Sequence, residues 1–416
     1  MAATTLPSLA GVAWLQRAET QAVFCALAAA GFAARAVGGV VRNELMGLPV
    51  TDIDIATPAR PEQIIAACRA AHLATIPTGI EHGTVTVVVS GHPVEVTTLR
   101  ADVATDGRHA TVAFTDDWAA DASRRDFTMN ALYCEPDGTV RDPLGGYADL
   151  IARRVRYIGD PDQRIAEDYL RILRFFRFHA VLGAGPLDPA GQAAAIRGRA
   201  GLQQLSAERV RVELLKLLAA PRAFDAVAAM MDCGLLAQVL GMAPRPGVLA
   251  ALIEAERSAQ AAPNAILRLS ALALAVEEDR NTLADRLQLS NAGREALIVV
   301  DLTLHQRFSS LDAKTARQKL YRLGSETWRR SILGVMAAAT PSTQRSALLP
   351  LLALPQSWPV PKLPVKGADA LALGLKPGPA IGALLRDLED WWVSADFPSE
   401  AAVRDRLAAL AAERKG

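Results

Sequence analysis

The sequence has few of the features that mark secreted, zinc-finger or membrane proteins. Its four cysteines, Cys25, Cys68, Cys134 and Cys233, form no CxxC or CxxxC spacing, which argues against a disulfide framework or a zinc site and favours a reducing compartment. The N-terminus lacks a basic start followed by a long apolar run, and residues 22–34 are too few to cross a bilayer. We therefore expect a cytoplasmic protein that does not contact a membrane.

An excess of charge of one sign is also missing, because the net charge of the 416 residues is only +1. The chain as a whole is therefore not a polycation, although residues 151–220 contain twelve Lys and Arg against seven Asp and Glu. A local basic surface fits a polyanionic partner, and a solvated helix face explains it equally well. Hydrophobic residues make up 51% of the chain, enough for two to four domains.

Residues 1–150 mix helix and strand signals. An alanine-rich helix is predicted to end before Gly31, and Pro61 suits the first position of another helix. The alternating segment GTVTVVVSGHPVEVTTLR predicts a hairpin with Gly91 and His92 at its tip. These signals predict an α+β head.

Beyond Ile151 the pattern is helical, and a proline-rich stretch from Pro341 to Pro379 predicts a break before a short tail. His305 lacks an accompanying His-Asp cluster, so we expect no appended phosphohydrolase site. The predicted division is a head (residues 1–150), a helical neck (151–220), a helical body (221–345) and a tail (346–416).

The stretch VGGVVRNELMGLPVTDIDIAT combines a glycine pair with two aspartates. Gly38 and Gly39 let backbone amides approach a phosphate, and Arg42 is placed to pair with it. In an alternating strand, Asp52 and Asp54 point to the same face, so their repulsion calls for a shared proton or a divalent cation. A DxD pair alone is weak evidence, but the glycine pair upstream favours magnesium binding.

Two further stretches follow, SRRDFTMNAL and DPLGGYADL. Arg124 and Arg125 are candidates for phosphate contacts, and Asp126 for orienting an arginine or a sugar hydroxyl. For Gly145 and Gly146 we expect a conformational role only, in a turn that closes the head.

The stretch EDYLRILRFFRF reads as an amphipathic helix. Its apolar positions recur at i, i+3, i+4 and i+7, which predicts a buried stripe. The stripe comprises Tyr169, Ile172, Leu173 and Phe176. The opposite ridge comprises Asp168, Arg171, Arg174 and Arg177.

The ridge has two interpretations. A ladder of salt bridges within the helix contributes only about 0.2–0.5 kcal/mol per pair. Alternatively, Asp168 accepts a hydrogen bond from the exocyclic amine of cytosine or adenine while Arg171 donates to the neighbouring ring nitrogen. Uracil and guanine present the opposite polarity at both positions, so this pair would select C and A and leave Arg174 and Arg177 for the triphosphate.

In this order and spacing the motifs resemble the class II family of tRNA nucleotidyltransferases and bacterial poly(A) polymerases, within the polymerase-β-like nucleotidyltransferase superfamily. The resemblance covers residues 36–220, and LPVKGADALALGLKPGPAIGALL resembles the family's C-terminal segment. It implies a nucleotidyltransferase head followed by a helical neck, body and tail. It also implies attack of the 3′-hydroxyl of tRNA on the α-phosphorus of CTP or ATP, with release of pyrophosphate and with Mg²⁺ as cofactor.

The same resemblance implies roles for individual residues. Asp52 and Asp54 would bind magnesium, and Glu95 would be a third catalytic carboxylate. The nucleotide would be bound by Gly38, Gly39, Arg42, Arg125, Asp168, Arg171, Arg174 and Arg177. Asn43 departs from the family, which usually has Asp there, and we expect a local change without loss of metal binding.

Three functions remain open at this point. A CCA-adding tRNA nucleotidyltransferase is favoured, because residues 100–118 resemble the undeleted loop of enzymes that add all three nucleotides. A poly(A) polymerase of the same family would be expected to carry a markedly basic C-terminal extension, whereas this tail, ending DRLAALAAERKG, is close to balanced. A non-catalytic RNA-binding protein on this fold would be expected to have lost a metal aspartate.

Overall fold

The computed structural model describes residues 6–106, 109–300, 311–339 and 342–414. It separates into two compact units, Met1–Gly241 and Met242–Gly416. The prediction for His305 lies outside the described residues. No helix in the described ranges is long and apolar enough to span a bilayer.

The first unit contains every strand that the structure describes, together with eleven α-helices. Its strands are β1 (Arg35–Val37), β2 (Asp54–Thr57), β3 (Ala74–Gly79), β4 (Thr84–Val89), β5 (His92–Thr98), β6 (Arg100–Asp106), β7 (His109–Phe114), β8 (Tyr133–Cys134) and β9 (Val140–Arg141). Its helices are α1 (Ala18–Ala29), α2 (Gly39–Leu45), α3 (Pro61–Ala70), α4 (Trp118–Ser123), α5 (Gly146–Ile151), α6 (Pro161–Glu167), α7 (Leu170–Leu182), α8 (Pro189–Gly198), α9 (Ala207–Ala219), α10 (Ala223–Asp232) and α11 (Leu236–Leu240).

Seven strands form a mixed sheet in the order β3-β4-β5-β2-β1-β8-β9, and β6 pairs with β7 in a separate hairpin. Only β2 and β5 run parallel, and their register sets Asp54 opposite Glu95. The predicted end of α1 at Gly31, the start of α3 at Pro61 and the β4–β5 hairpin are confirmed, although His92 belongs to β5 and not to the turn. The sheet thus brings two acidic residues from separate segments to one place.

The amphipathic segment is two helices and not one. The preceding helix α6 ends at Glu167, and α7 begins at Leu170, so Asp168 lies in extended backbone between them. The prediction that Asp168 belongs to the same helix as the three arginines is therefore wrong. Its carboxylate accepts a hydrogen bond from the Leu170 N–H at 3.1 Å, and this local bond favours a break over a continuous helix. Tyr169 is only half-buried, whereas the other three stripe residues are buried.

The glycines of DPLGG have the conformational role that was predicted. Gly145 has a φ of +71°, which favours glycine. A Cβ on Gly146 would lie 2.1 Å from the carbonyl oxygen of Thr128, so only glycine fits against that backbone.

The second unit is helical throughout the residues that the structure describes. Its helices are α12 (Pro246–Ser258), α13 (Ala265–Ala273), α14 (Asp279–Arg286), α15 (Asn291–Ala296), α16 (Ala313–Ala338), α17 (Ser342–Ser357), α18 (Gly367–Ala372), α19 (Pro379–Ser394) and α20 (Glu400–Glu413). The predicted α+β class with a mostly helical C-terminal half is confirmed.

The proline-rich stretch is a weaker break than predicted. Helix α17 continues through Pro350, because Leu348 and Leu352 on either side are buried in the core of this unit and hold the helix in place. It also crosses the predicted boundary between body and tail at residues 345 and 346. The division into four parts stays a prediction.

Candidate nucleotide-binding site

One cavity of about 440 Å³ in the first unit collects most of the predicted site residues. Its walls come from the start of α2, the start of β2, the segment after α4, the α6–α7 junction and α9. It is lined by Gly38, Gly39, Arg42, Asp54, Arg125, Asp126, Asn130, Asp168, Leu170, Arg171, Arg174, Phe178 and Arg209. Eight of the eleven predicted site residues are in this set, and Asp52, Glu95 and Arg177 are not.

The first glycine of the pair sits at the turn from β1 into α2. Gly38 has a φ of +74°, which favours glycine. A Cβ there would make only ordinary van der Waals contacts, 3.6 Å from Nη1 of Arg125 and 3.7 Å from the carbonyl oxygen of Asn130. The cost of a side chain at Gly38 is therefore the strain of this backbone conformation.

Asp54 is one of three aspartates that line the cavity. Burial, then the neighbouring Glu95 carboxylate, raises the pKa of Asp54 to about 6, with a further contribution from Asp52 and opposition from Arg125. No cationic side chain among the described residues forms a salt bridge with the carboxylates of Asp52, Asp54 or Glu95. A cluster of this kind is stabilised by a cation.

The charge of Asp52 helps to raise the pKa of Asp54, but the Asp52 side chain lines a different cavity. Asp52 precedes β2 and is exposed, so the prediction that it belongs to the strand is wrong. Its Oδ2 accepts a hydrogen bond from the hydroxyl of Thr51 at 3.0 Å. Together with Thr51 and His92, it lines a second cavity of about 410 Å³. The two aspartates therefore stand on two neighbouring cavities.

Arg42 enters the cavity from α2 and is held by amides. Its Nε and Nη2 donate to Oδ1 of Asn43 at 3.1 and 2.8 Å, and its Nη1 donates to Oδ1 of Asn130 at 2.5 Å. Asn43 also donates from Nδ2 to the carbonyl oxygen of Pro49 at 2.9 Å. The uncharged residue at position 43 therefore orients the arginine and anchors the chain after α2.

Arg125 is held by a buried aspartate that sequence reasoning missed. Asp121 on α4 is 1% exposed and accepts hydrogen bonds from Arg125 at 2.9 Å and from the Tyr133 hydroxyl at 2.8 Å. Burial alone raises the pKa of Asp121, but Arg125 and Arg124 hold it below its ordinary value. Because Arg124 donates both of its bonds to the same carboxylate and does not line the cavity, it is the structural member of the pair.

Three arginines surround Phe178, a second residue that sequence reasoning missed. The guanidinium carbons of Arg42, Arg174 and Arg177 lie 5.2, 5.3 and 4.1 Å from the centre of its ring. Burial, partly opposed by Asp126 and reinforced by the charges of Arg177 and Arg174, lowers the pKa of Arg42 to about 10. A cluster of like charges over an aromatic face suits a polyanionic ligand.

Two carboxylates position the outer arginines of this cluster. Oδ2 of Asp126 accepts from Nε and Nη2 of Arg174 at 2.9 and 2.6 Å, as expected for a residue that orients an arginine. Buried Glu213 on α9 accepts from Nε of Arg177 and lies 3.6 Å from Nη1 of Arg174. Arg177 therefore lies behind the cavity wall, next to Phe178, and not in the wall itself.

The predicted base-reading pair, Asp168 and Arg171, also lines the cavity. Arg171 donates from Nη1 to the Arg164 carbonyl oxygen at 2.7 Å and to the Glu167 carboxylate. Asp168 accepts from Arg209 at 2.7 Å through Oδ2. Both side chains border the cavity, so a base between them meets a carboxylate and a guanidinium.

The charges of the cavity are paired with two exceptions. Arg125, Arg171, Arg174 and Arg209 each form a salt bridge with a carboxylate. Among the described residues, Arg42 is the cavity arginine without a carboxylate at salt-bridge distance, and Asp54 is the cavity carboxylate without a cation. A ligand with a negatively charged group and a bound cation would pair with Arg42 through the first and with Asp54 through the second.

The donor set suits a hard divalent cation. In the described part of the chain no three His, Cys, Asp or Glu side chains are grouped to hold a metal ion by themselves. Asp54, with Asp52 beside it, supplies carboxylate oxygens only. Magnesium is commonly bound by one or two carboxylates together with water and substrate phosphates, so the residues present fit such an ion.

Two family models match this chain. The family model described as the Poly A polymerase head domain matches residues 34–156. A second model, described as the probable RNA and SrmB-binding site of polymerase A, matches residues 188–250.

Individual relatives match most of the chain. The mitochondrial CCA tRNA nucleotidyltransferase 1 of Danio rerio is 35% identical over 88% of this chain and 84% of its own length. The CCA-adding enzyme of Levilactobacillus brevis is 34% identical over 89% of this chain and 92% of its own length. The crystal structure of the Bacillus stearothermophilus CCA-adding enzyme in complex with CTP has a TM-score of 0.70 and 30% identity, and covers 95% of this chain and 97% of that chain.

Proposed function

This chain belongs to the family of CCA-adding tRNA nucleotidyltransferases, and we propose that the cavity between α2, β2, α7 and α9 is where it adds C, C and A to the 3′ end of tRNA. The observation that carries the proposal is the pair of unmatched charges in that cavity, Arg42 and Asp54. A nucleoside triphosphate with its cation supplies a phosphate for the first and a positive charge for the second. CTP and ATP are the nucleotides that CCA addition consumes.

The triphosphate would lie along the basic wall. Arg42 donates to a phosphate oxygen while Asn43 and Asn130 hold its guanidinium in place. Arg125 and Arg174 would add further donors, each oriented by a carboxylate that is at most 10% exposed. Because these groups are fixed before the ligand arrives, little rotamer entropy is lost when it binds.

Asp52 and Asp54 are proposed as the ligands of the divalent metal ion that enzymes of this nucleotidyltransferase family use, with Mg²⁺ as the ion. When bound there, the ion lowers the pKa of the attacking 3′-hydroxyl and stabilises charge on the phosphate oxygens. The chain's own contribution is to hold two carboxylates on two neighbouring cavities. We propose that the nucleotide occupies the cavity of Asp54 and that the RNA 3′ end approaches from the side of Asp52. Glu95, opposite Asp54 in the sheet, is proposed as a further catalytic carboxylate.

Asp168 and Arg171 are proposed as the protein template for the base. Arg171 uses Nη1 for the Arg164 carbonyl oxygen and Glu167, which leaves the other side of its guanidinium for a ring nitrogen. Cytosine and adenine offer an amine to Asp168 and an acceptor to Arg171. Uracil and guanine would set a carbonyl against the carboxylate, which is why they would be rejected.

The tRNA body is proposed to bind beyond the cavity, toward the part of the chain that matches the RNA-binding model at residues 188–250. The basic excess of residues 151–220 overlaps that region and would contact phosphates near the 3′ end. A cytoplasmic location is proposed because the bacterial relatives are CCA-adding enzymes, and tRNA is found in the bacterial cytoplasm.

The test is incorporation of labelled CTP, ATP, UTP and GTP into tRNA that lacks its 3′-terminal CCA. Wild-type protein is compared with Asp52→Ala and with Asp162→Ala, an aspartate of the same unit that lines neither cavity and whose salt bridge with Arg197 is about half exposed. We expect addition of two C and one A by the wild type and by Asp162→Ala, and none by Asp52→Ala.

Other outcomes distinguish the alternatives. Long A tracts on any RNA would indicate a poly(A) polymerase. Tight binding of tRNA without incorporation of any nucleotide would indicate an RNA-binding protein that has lost the chemistry. Full activity of Asp52→Ala would exclude the proposed metal site while leaving CCA addition in place.

A further inference from the structure

Helix α9 contributes two oppositely charged side chains, one turn apart, to the base-reading and phosphate-binding segment. Arg209 forms a salt bridge with Asp168 at 2.7 Å, and Glu213 forms one with Arg177. Glu213 is buried, whereas Arg209 is 45% exposed and borders the nucleotide cavity. Of these two α9 residues, Arg209 lines the cavity where the nucleotide is proposed to bind, and Glu213 does not.

The Asp168 carboxylate is fixed at both of its oxygens. Oδ1 accepts the N–H of Leu170 at 3.1 Å, and Oδ2 accepts Nη2 of Arg209 at 2.7 Å. A carboxylate has about four acceptor positions, so two remain for a ligand. The backbone donor alone would leave Oδ2 without a protein donor, and the side chain, 31% exposed, would be free to turn toward water.

We infer that Arg209 is a positioning residue for base selection, holding the Asp168 carboxylate in the orientation that accepts an amine and repels a carbonyl. The inference rests on the proposed role of Asp168 as part of the template. The reason is geometric: selection against uracil requires that the carboxylate cannot rotate away from an approaching carbonyl oxygen. Arg209 supplies the second anchor that prevents this rotation.

A different role for Arg209 gives a different kinetic result. If its guanidinium bound the triphosphate, all four nucleotides would lose the same contact when it was removed, and their relative efficiencies would not change. If it positions Asp168, the nucleotides with an exocyclic amine lose efficiency relative to those with a carbonyl. The ratio of kcat/KM between two nucleotides therefore separates the two roles.

The experiment measures kcat/KM for CTP and UTP on tRNA lacking CCA, and for ATP and GTP on tRNA ending in CC. The variants are Arg209→Gln, Arg209→Lys, Asp168→Ala and the double variant Asp168→Ala with Arg209→Gln. Arg197→Gln is the matched control, since it breaks an arginine–aspartate pair of the same unit that is exposed and outside the cavity.

We expect Arg209→Gln to lower the CTP/UTP and ATP/GTP ratios by a factor of roughly 10 to 100, the range of discrimination carried by a well-placed polar pair. Arg209→Lys should recover part of the loss, because it keeps the charge but not the planar guanidinium. The double variant should select no worse than Asp168→Ala alone, and the control should select like the wild type.

Each contrary result has a separate meaning. If Asp168→Ala loses selection and Arg209→Gln keeps it, the inference is overturned and the proposed function stands. If Asp168→Ala itself keeps selection, the template role falls and the inference falls with it. Partial unfolding of a variant does not obscure the result, because both nucleotides are tested on one preparation and the folded fraction cancels in the ratio.

Discussion

Replacing Asp126 by Asn should destabilise the first unit, although the two side chains have nearly the same shape. All four acceptor positions of the carboxylate are in use. Oδ2 accepts two N–H groups of Arg174, and Oδ1 accepts the backbone N–H of Phe127 and Nδ2 of Asn130, both at 2.9 Å. An amide offers one oxygen only, so in either orientation its NH₂ group faces donors.

The loss in the free energy of unfolding depends on how far the charge of Arg174 is left without a partner. Removing one partner of a buried ion pair costs about 3–5 kcal/mol, because a charge is left buried without compensation. Arg174 is one-third exposed and has Glu213 3.6 Å from Nη1 as a second partner, which places the change at the lower end. We therefore expect a loss of about 3 kcal/mol, or more than about a hundredfold in the folding equilibrium.

The pH dependence gives an independent check. Burial by itself raises the pKa of Asp126, but Arg174 and the hydrogen bonds from Asn130 and Phe127 hold it below its ordinary value. A carboxyl group with a lower pKa in the folded state stabilises the fold above the unfolded pKa, about 3.9, and that contribution is lost as the pH falls through the folded pKa. The gap between wild type and variant should be constant from about pH 6 to pH 8 and shrink below about pH 4.

The assay is urea unfolding followed by circular dichroism, with hydrogen exchange of the α7 amides as the local probe of the first unit. Asp162→Asn is the control, because its salt bridge with Arg197 is about half exposed on both sides and is screened by solvent. A gap of under about 1 kcal/mol at pH 7, or a gap that does not shrink at all as the pH falls below about 4, would refute the reasoning.

Three further predictions use single contacts of the same unit. Phe178→Leu removes the ring shared by three arginines, so KM for CTP and for ATP should rise together by roughly 5- to 30-fold in steady-state assays. Gly146→Ala meets the Thr128 carbonyl oxygen at 2.1 Å and should lower the free energy of unfolding by at least about 2 kcal/mol, whereas Gly247→Ala, with nothing within 4 Å, should not. Asn43→Asp gains a charged partner for the neighbouring arginine but loses a donor to a backbone carbonyl, so kcat/KM should stay within about tenfold of the wild type; a gain of orders of magnitude would contradict the assignment.

The sequence allowed several residues that line the cavity to be predicted where their positions depend on local backbone. Gly38 and Arg42 belong to one turn and the start of its helix, and Asp168 and Arg171 to one short junction, so each pair is brought together by neighbouring backbone. The exact path of that backbone was less predictable. The spacing of apolar residues that indicated one helix does not reveal the two-residue interruption between α6 and α7. In the structure the break is marked by the extended backbone of Asp168 and by the hydrogen bond from the Leu170 N–H to its carboxylate.

Two of the residues that hold the cavity arginines and Asp168 in place, Arg209 and Glu213, were not predicted because their partners are 41 and 36 residues away in the sequence. Their pairing depends on how the helices pack. Asp121 was also missed, although it lies only four residues before Arg125. One signal was present for Glu213. It shares a buried helix face with Val210, Leu214 and Leu217, and a carboxylate on an apolar face requires a partner.

The arginines of this cavity are of two kinds, those paired with carboxylates and one held by amides. Arg125, Arg171 and Arg174 are neutralised by carboxylates, so they can be held rigidly near one another without a ligand. Arg42 is held by amides, which orient it without cancelling its charge. The charge that a nucleotide must satisfy is therefore concentrated at Arg42 and, with opposite sign, at Asp54. Both groups line one cavity, at the place where we propose that the attacking hydroxyl and the phosphate meet, so binding energy would act there. The pair proposed to read the base, Asp168 and Arg171, lies at the α6–α7 junction.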